Sequence, residues 1–301
     1  MWFKNLKIYR FTKDIEFSDQ ELEEKLSSAP YTPCGKTQPK SYGWTEPMGK
    51  HGKMFTHCSG GKVLFCAKQE EKLLPRAIVN EMLEEKVAEI EEQTETKPGR
   101  KQKEQMKDEL IIDLLPRAFS RKQNHFGYID RQNKLLILNS SGGNKAEEFT
   151  EFLRKTLGSL QIIPFKTDVN PSIIMTQWVN TENLPSDFSL GQAIELKEMG
   201  EDAGTARCSK QDLLSEEVQA HISAGKEVTK LALKWDDKIE FVLHDDLSIK
   251  RLKFSDQILE KADSESEDPA TRFDADFTLM TLELANFIPR LAEVFGDNND
   301  S

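Results

Sequence analysis

The residues most able to do chemistry in this chain are a few carboxylates and a larger number of cations. Asp187, followed by Glu195 and Lys197 in a Glu-x-Lys triple, has the makings of a Mg²⁺-dependent nuclease. Two carboxylates would hold the metal and the lysine would orient the attacking water. Against this, such triples recur in a chain with 31% charged residues. Residues 193–199 also read as helical rather than as a strand, and no further histidine or carboxylate is placed nearby. His51, His57, Cys58 and Cys66 crowd one hairpin, but their spacing matches no zinc pattern. His57 and Cys58, as strand neighbours, would point to opposite faces. Asp274 and Asp276 open a helix, where the dipole alone accounts for them. There is no phosphate-cradling GxxxxGK[ST] loop, no GxSxG elbow and no GxGxxG fingerprint. The chain reads as a non-enzyme that needs no cofactor or metal.

The cations are more informative. Between Asp113 and Asp130 there is no carboxylate, but there are Arg117, Arg121, Lys122 and His125, interleaved with Phe119, Phe126 and Tyr128. Charges between aromatics suit a polyanion. From spacing alone, a helix-to-strand junction with a solvated basic edge explains the stretch as well or better. A second group lies on a β-meander, 229–235, 238–244 and 248–254, whose turns are Asp236-Asp237 and Asp245-Asp246. Strand alternation puts Leu231, Leu233, Trp235, Ile239, Phe241 and Leu243 on one face. With Leu252 and Phe254 beside them, the other face carries Lys230, Lys234, Arg251 and Lys253 against Glu240 alone. Arg207, Lys210, Gln211 and Lys226 precede it. Clustered cations without a base-reading helix imply phosphate contact, with weak sequence preference and strong salt dependence.

The elements that position these groups follow from pattern. Residues 2–11 read as a strand, and Ser18 with Glu21 forms a capping box for a helix to about Ser28. Residues 53–58 and 62–68 form a hairpin. Helical spacing runs from Pro75 to about Gln93 and from about Gln102 to Leu115, with Pro98-Gly99 between, which makes a helical hairpin. A second β-hairpin covers 126–130 and 134–139. A helix from about Ala146 to Leu157 stops at Gly158. Residues 162–165 and 172–179 read as extended, 181–204 as loop-rich, and 215–225 as a helix. The acidic stretch Asp263, Glu265, Glu267 and Asp268 reads as a loop before an amphipathic helix marked by Phe277, Met280, Leu284, Phe287, Leu291 and Val294, kinked or shortened at Pro289.

The fold class is α+β. The expected divisions are a body of 1–75 and 119–178, a helical-hairpin tip of 76–118, and a C-terminal base of 179–301. The net charge of −11 argues at first against nucleic acid. Residues 255–301, however, hold 12 carboxylates against three cations, while the other 254 residues hold 40 against 38. The acidity belongs to one end, which leaves room for a basic surface elsewhere, or for an interaction scaffold that works through the acidic end. Four scattered cysteines read as reduced thiols. No apolar run is long enough to span a membrane, and the N-terminus is no secretory signal, so the cytoplasm is the expected location.

Several stretches also carry a resemblance: WFKNLKIYR (2–10), YTPCG (31–35), LLPRAFSR (114–121), LRKTLGSL (153–160), KQDLLSEE (210–217), AGKEVTKLAL (224–233), SIKRLKF (248–254) and RFDADF (272–277). On these the chain resembles the bacterial RdgC family of recombination-associated proteins over essentially its whole length. The resemblance implies a curved subunit that closes with a second copy into a ring. Its positively charged hole takes duplex DNA without sequence specificity, and single strands are bound too. It further implies association with the nucleoid and restraint of the RecA recombinase by competition for DNA. Phe119 matches a family dimer contact at the helical tips, and Lys210 and Gln211 match the other dimer contact. Arg117, Arg121, Lys226, Lys230, Lys234, Arg251 and Lys253 are the candidate DNA-binding cations. The tip, 94–103, departs from the family by carrying Pro98-Gly99.

Overall fold

The computed structural model describes residues 1–198, 200, 203–263 and 268–296. Glu265 and Glu267 of the acidic stretch lie outside them. The first half of the chain runs β1 (Lys7–Phe11), α1 (Asp19–Ser27), β2 (Lys40–Thr45), β3 (Thr56–Ser59), β4 (Lys62–Lys72), α2 (Arg76–Thr94), α3 (Arg100–Leu114), β5 (Ser120–Asp130) and β6 (Leu135–Leu138). Then come α4 (Gly143–Leu157), β7 (Ile162–Pro164), α5 (Pro171–Thr181), β8 (Phe188–Lys197), β9 (Thr205–Ser209) and α6 (Glu216–Ser223). The meander β10 (Glu227–Trp235), β11 (Ile239–His244) and β12 (Ile249–Phe254) leads into α7 (Asp256–Asp263) and α8 (Pro269–Val294). The class is α+β, as expected, with antiparallel strand pairing between neighbours in each sheet.

Two compact units divide the chain. The first takes Met1–Lys25, Glu46–Phe65 and everything from Phe126 onward; the second takes Leu26–Thr45 and Cys66–His125. In the first unit, β6 lies between β1 and the end of β5, with β7 on the far side of β1. A five-stranded sheet in the order β12-β11-β10-β8-β9 carries the meander. Its apolar face is the core: Leu231, Leu233, Ile239, Phe241, Leu243, Leu252 and Phe254 are all buried. Helix α8 lies on that face, its Phe287 ring 5.4 Å from Trp235 and 4.9 Å from Phe241. The buried positions Phe277, Met280, Leu284, Phe287 and Leu291 keep helical spacing. The Asp268 carboxylate caps α8 by accepting from the Thr271 N–H at 2.9 Å. The helix passes through Pro289 to Val294 rather than ending there.

Three expectations fail here for local reasons. Residues 172–179 are helical, not extended. Asn170 caps α5 by accepting from the Ser172 N–H at 3.0 Å, and Pro171 sits in the first turn, where its missing N–H costs nothing. Burial of Ser172, Met175, Trp178 and Val179 follows a helical period that the β-branched residues disguise. Residues 188–197 form a strand instead of a loop, and 193–197 are strand rather than helix, because Ile194 and Leu196 alternate into the core. Met199 lies outside the described residues. Strands β2 and β9 and helix α7 are additions to the expected elements; 40–45, within a Pro- and Gly-rich stretch that reads as an irregular connection, pairs with β4.

In the second unit, β2 pairs with the distal half of β4. Gly43 is required there: a Cβ would stand 2.4 Å from Tyr31 Cα, where the chain at 29–31 crosses β2. The Tyr31 N–H donates to Trp44 at 2.7 Å and the Trp44 N–H donates to Ala29 at 3.0 Å. The nearly buried Glu70 carboxylate ties this crossing down, accepting from the Tyr31 hydroxyl and, at 3.2 Å, from the Cys34 N–H. Hydrogen bonds led by the Ser120 and Tyr31 hydroxyls hold its pKa down at about 2. Helices α2 and α3 form the expected hairpin, turning through Glu95 and capped at Gly99. Val79, Met106 and Leu110 are its buried apolar residues, so most of its charged surface stays wet.

Candidate nucleic-acid interface

The polar face of the five-stranded sheet holds a cavity of about 540 Å³, lined by Arg207, Glu195, Lys230, His244, Lys250 and Arg251, with Asn5 at its edge. Directly opposed residues share a face, and here they form a row across four strands. Arg207 of β9 opposes Glu195 of β8, which opposes Lys230 of β10, which opposes His244 of β11. The next row holds the smaller side chains Ser209, opposite Ala193, and Val242, which opposes the cation Lys250 of β12. Charged residues beside small ones turn a flat sheet face into a groove.

A bulge completes it. The β11–β12 register passes from Glu240↔Lys253 to Val242↔Lys250, so Arg251 and Leu252 together face Phe241. Arg251 takes φ +53° to accommodate the extra residue. Leu252 stays in the core, Ile249 joins it fully buried, and Lys250 swings onto the polar face beside Arg251. Among the described residues, neither Lys250 nor Arg251 makes an ion pair.

Electrostatics mark the groove as cationic. Burial, reinforced by Lys250 and Lys230, pushes the His244 imidazole down to about 4, so it is neutral at pH 7. Burial works against the Glu195 carboxylate, but hydrogen bonds from Lys230 and Arg207 override it and hold the pKa at about 2. Lys230 Nζ lies 2.7 Å from Glu195 Oε1 and Arg207 Nε lies 2.5 Å from Oε2. Four cations and one carboxylate therefore leave the groove with a surplus of positive charge.

Of the cations named from the sequence, Arg207, Lys230 and Arg251 line the groove. Lys226 is turned to Glu198 at 2.5 Å, Lys234 to Asp237 at 3.0 Å, and Lys253 opposes Glu240 across the ladder. Arg117 and Arg121 are exposed in the second unit, flanking Phe119, which is 85% exposed. Lys210, with φ +55°, and Gln211 line a separate cavity of about 400 Å³ with Gly191, Gln192 and Leu213. Lys250 is the groove residue that reading by strict alternation misses. The spacing of Ile249, Leu252 and Phe254, three and then two, is the signal that reveals it.

Asp187, Glu195 and Lys197 do not assemble into a metal site. Asp187 precedes β8 and its carboxylate accepts from Arg290 through Nε and Nη2, at 2.9 Å each, and from Trp235 Nε1 at 3.0 Å. Glu195 lies eight positions further along the chain, ~26 Å at the rise of a β-strand. Among the described residues, no group of three or more histidine, cysteine, aspartate or glutamate side chains could hold a metal ion. Likewise none of their helices is long and apolar enough to cross a membrane.

Fold and groove together define an α+β protein that presents a cationic cleft on an open sheet face. Over residues 1–298 the chain matches the family model described as "Putative exonuclease, RdgC". It is 45% identical over 302 residues to the recombination-associated protein RdgC of Aeromonas hydrophila subsp. hydrophila, covering 100% of both chains. Identity is 45% to the same-named protein of Tolumonas auensis and 44% to that of Yersinia enterocolitica, each over 297 residues and 98% of both chains. The chain belongs to the RdgC family.

Proposed function

We propose that this protein is recombination-associated and works by binding DNA without sequence specificity, through phosphate contacts in the groove. The observation that carries the reading is the concentration of Arg207, Lys230, Lys250 and Arg251 on one concave sheet face of a chain whose net charge is −11. Such a distribution has a simple use in holding a polyanion, since a solvated surface would gain from mixing its signs. No base-reading helix lies among the groove residues, which suits contact with the backbone of duplex and single strands alike. The activity is binding rather than hydrolysis, and supercoiled plasmid incubated with Mg²⁺ is expected to stay intact.

The assembly we favour is a dimer closed into a ring, with Phe119 at one contact and Lys210 and Gln211 at the other. Phe119 suits that role: a large ring left 85% exposed beside Leu73, itself 46% exposed and hydrogen-bonded through its N–H to the Phe119 carbonyl at 2.7 Å. A closed ring retains duplex topologically and so needs few tight contacts. By occupying DNA in the nucleoid it limits access by RecA. Phe119→Ala tests this, with sedimentation for the dimer and fluorescence anisotropy for duplex binding. Loss of closure with weaker binding is expected; an unchanged dimer with unchanged affinity refutes ring retention.

A further inference from the structure

A phosphate site gains from every cation and loses from every carboxylate, yet Glu195 stands in the middle of the groove's cationic row. It cannot be read as a solvated surface charge, since its side chain is only 13% exposed. Both oxygens are occupied, one by Arg207 Nε at 2.5 Å and the other by Lys230 Nζ at 2.7 Å. The Thr229 hydroxyl adds a longer donor at 3.3 Å. A carboxylate and a phosphodiester carry the same single negative charge and each offers two free oxygens. The two cations around Glu195 are therefore arranged as they would be around a backbone phosphate. Arg207 is 74% exposed on the edge strand, and Lys230 is 36% exposed, so both heads can turn outward on flexible stems.

We propose that Glu195 is an internal stand-in for phosphate: it holds Arg207 and Lys230 in the groove while no nucleic acid is bound and yields them to a backbone phosphodiester when a strand enters. This rests on the reading of the groove as the DNA-binding surface. The exchange trades one ion pair for another, so the net gain from Arg207 and Lys230 is small. Lys250 and Arg251, which have no such partner among the described residues, carry most of the free energy. Glu195 thus weakens binding and keeps the contact reversible. It also keeps the empty groove ordered, with its cations pre-placed rather than splayed.

The test measures affinity for a labelled duplex of about 30 base pairs by anisotropy across a salt series. The proteins are the full chain and its Glu195→Gln, Arg207→Ala, double Glu195→Gln/Arg207→Ala, and Lys250→Ala/Arg251→Gly variants. Glu195→Gln removes the competing charge and is expected to bind about tenfold tighter at low salt, with the gain shrinking as salt rises. Arg207→Ala alone is expected to weaken binding less than about threefold, because its partner is already Glu195. In the Glu195→Gln background the same change should cancel most of the gain. If Lys250→Ala/Arg251→Gly leaves affinity unchanged, the groove is not the binding surface and the proposal falls with it. If that variant weakens binding while Glu195→Gln is unchanged or weaker, the groove reading survives and the stand-in role is overturned. Should Glu195→Gln fold poorly, Arg207→Ala still decides: a loss of tenfold or more would make Arg207 an unrestrained phosphate contact and overturn the exchange.

Discussion

Replacing Lys250 by alanine and Arg251 by glycine removes the two groove cations that make no ion pair among the described residues. Glycine is the proper replacement at 251, since the bulge holds that residue at φ +53°, where glycine is at ease and alanine is strained. Any loss of binding then reports charge and not a broken bulge. The magnitude follows from counterion release: each phosphate neutralised contributes ~0.9 to the fall of log K with log salt. With two fewer phosphates neutralised, the slope drops by ~1.8 per groove engaged. Between 50 and 200 mM salt, a fourfold range, the gap between the variant and the parent protein should close by roughly tenfold. Anisotropy titrations on two duplexes of unrelated sequence supply the slopes, which should agree between the sequences. Parallel salt lines for parent and variant, whatever their vertical offset, would refute phosphate contact by these residues.

Three further outcomes are expected, each from a separate part of the molecule. Asp187 is held at about 2, first by its hydrogen bonds from Arg290, below its ordinary value of 3.8. Its stabilisation is therefore complete above pH ~4 and is lost as the pH falls through about 2. With the side chain 26% exposed, Asp187→Asn should cost about 1–2 kcal/mol at pH 7. The deficit should narrow between pH 4 and 2.5 in thermal melts followed by circular dichroism, and a deficit constant over that window contradicts the assignment. Gly43→Ala should cost about 1–3 kcal/mol in urea denaturation, because the added Cβ meets backbone that cannot step aside; a change under about 0.5 kcal/mol would show that the crossing at Tyr31 gives way. Phe119→Ala should leave the thermal midpoint nearly untouched, since the ring is 85% exposed, while altering sedimentation.

What the sequence made legible was what local physics decides. The capping box is there, with the Glu21 N–H donating to the Ser18 hydroxyl at 3.1 Å. The three meander strands are there, as is the helical hairpin turning at Pro98-Gly99. What it hid were cases where two local signals competed. In α5, the branched residues Ile173, Ile174 and Val179 argued for a strand, while Asn170-Pro171 argued for a helix start, and the cap won. In β8, Glu195 and Lys197 looked helical because charged residues seldom line a strand. Glu195 does so here because its partners, Arg207 and Lys230, come from neighbouring strands, which no window along one segment can reveal.

The groove shows the same limit and its remedy. Perfect alternation along β12 places Arg251 and Lys253 on the polar face and leaves Lys250 pointing to the core. That arrangement would bury a charge and expose Ile249, at a cost of several kcal/mol on both counts. One extra residue resolves both faults, because it returns Ile249 to the core and brings Lys250 out beside Arg251. The energetic demand that creates the bulge is therefore the packing of Ile249, and the paired cations follow from it. Substituting Ile249 with a polar residue would relax the need for the bulge, so the core of this sheet and the charge of its groove are set by the same register.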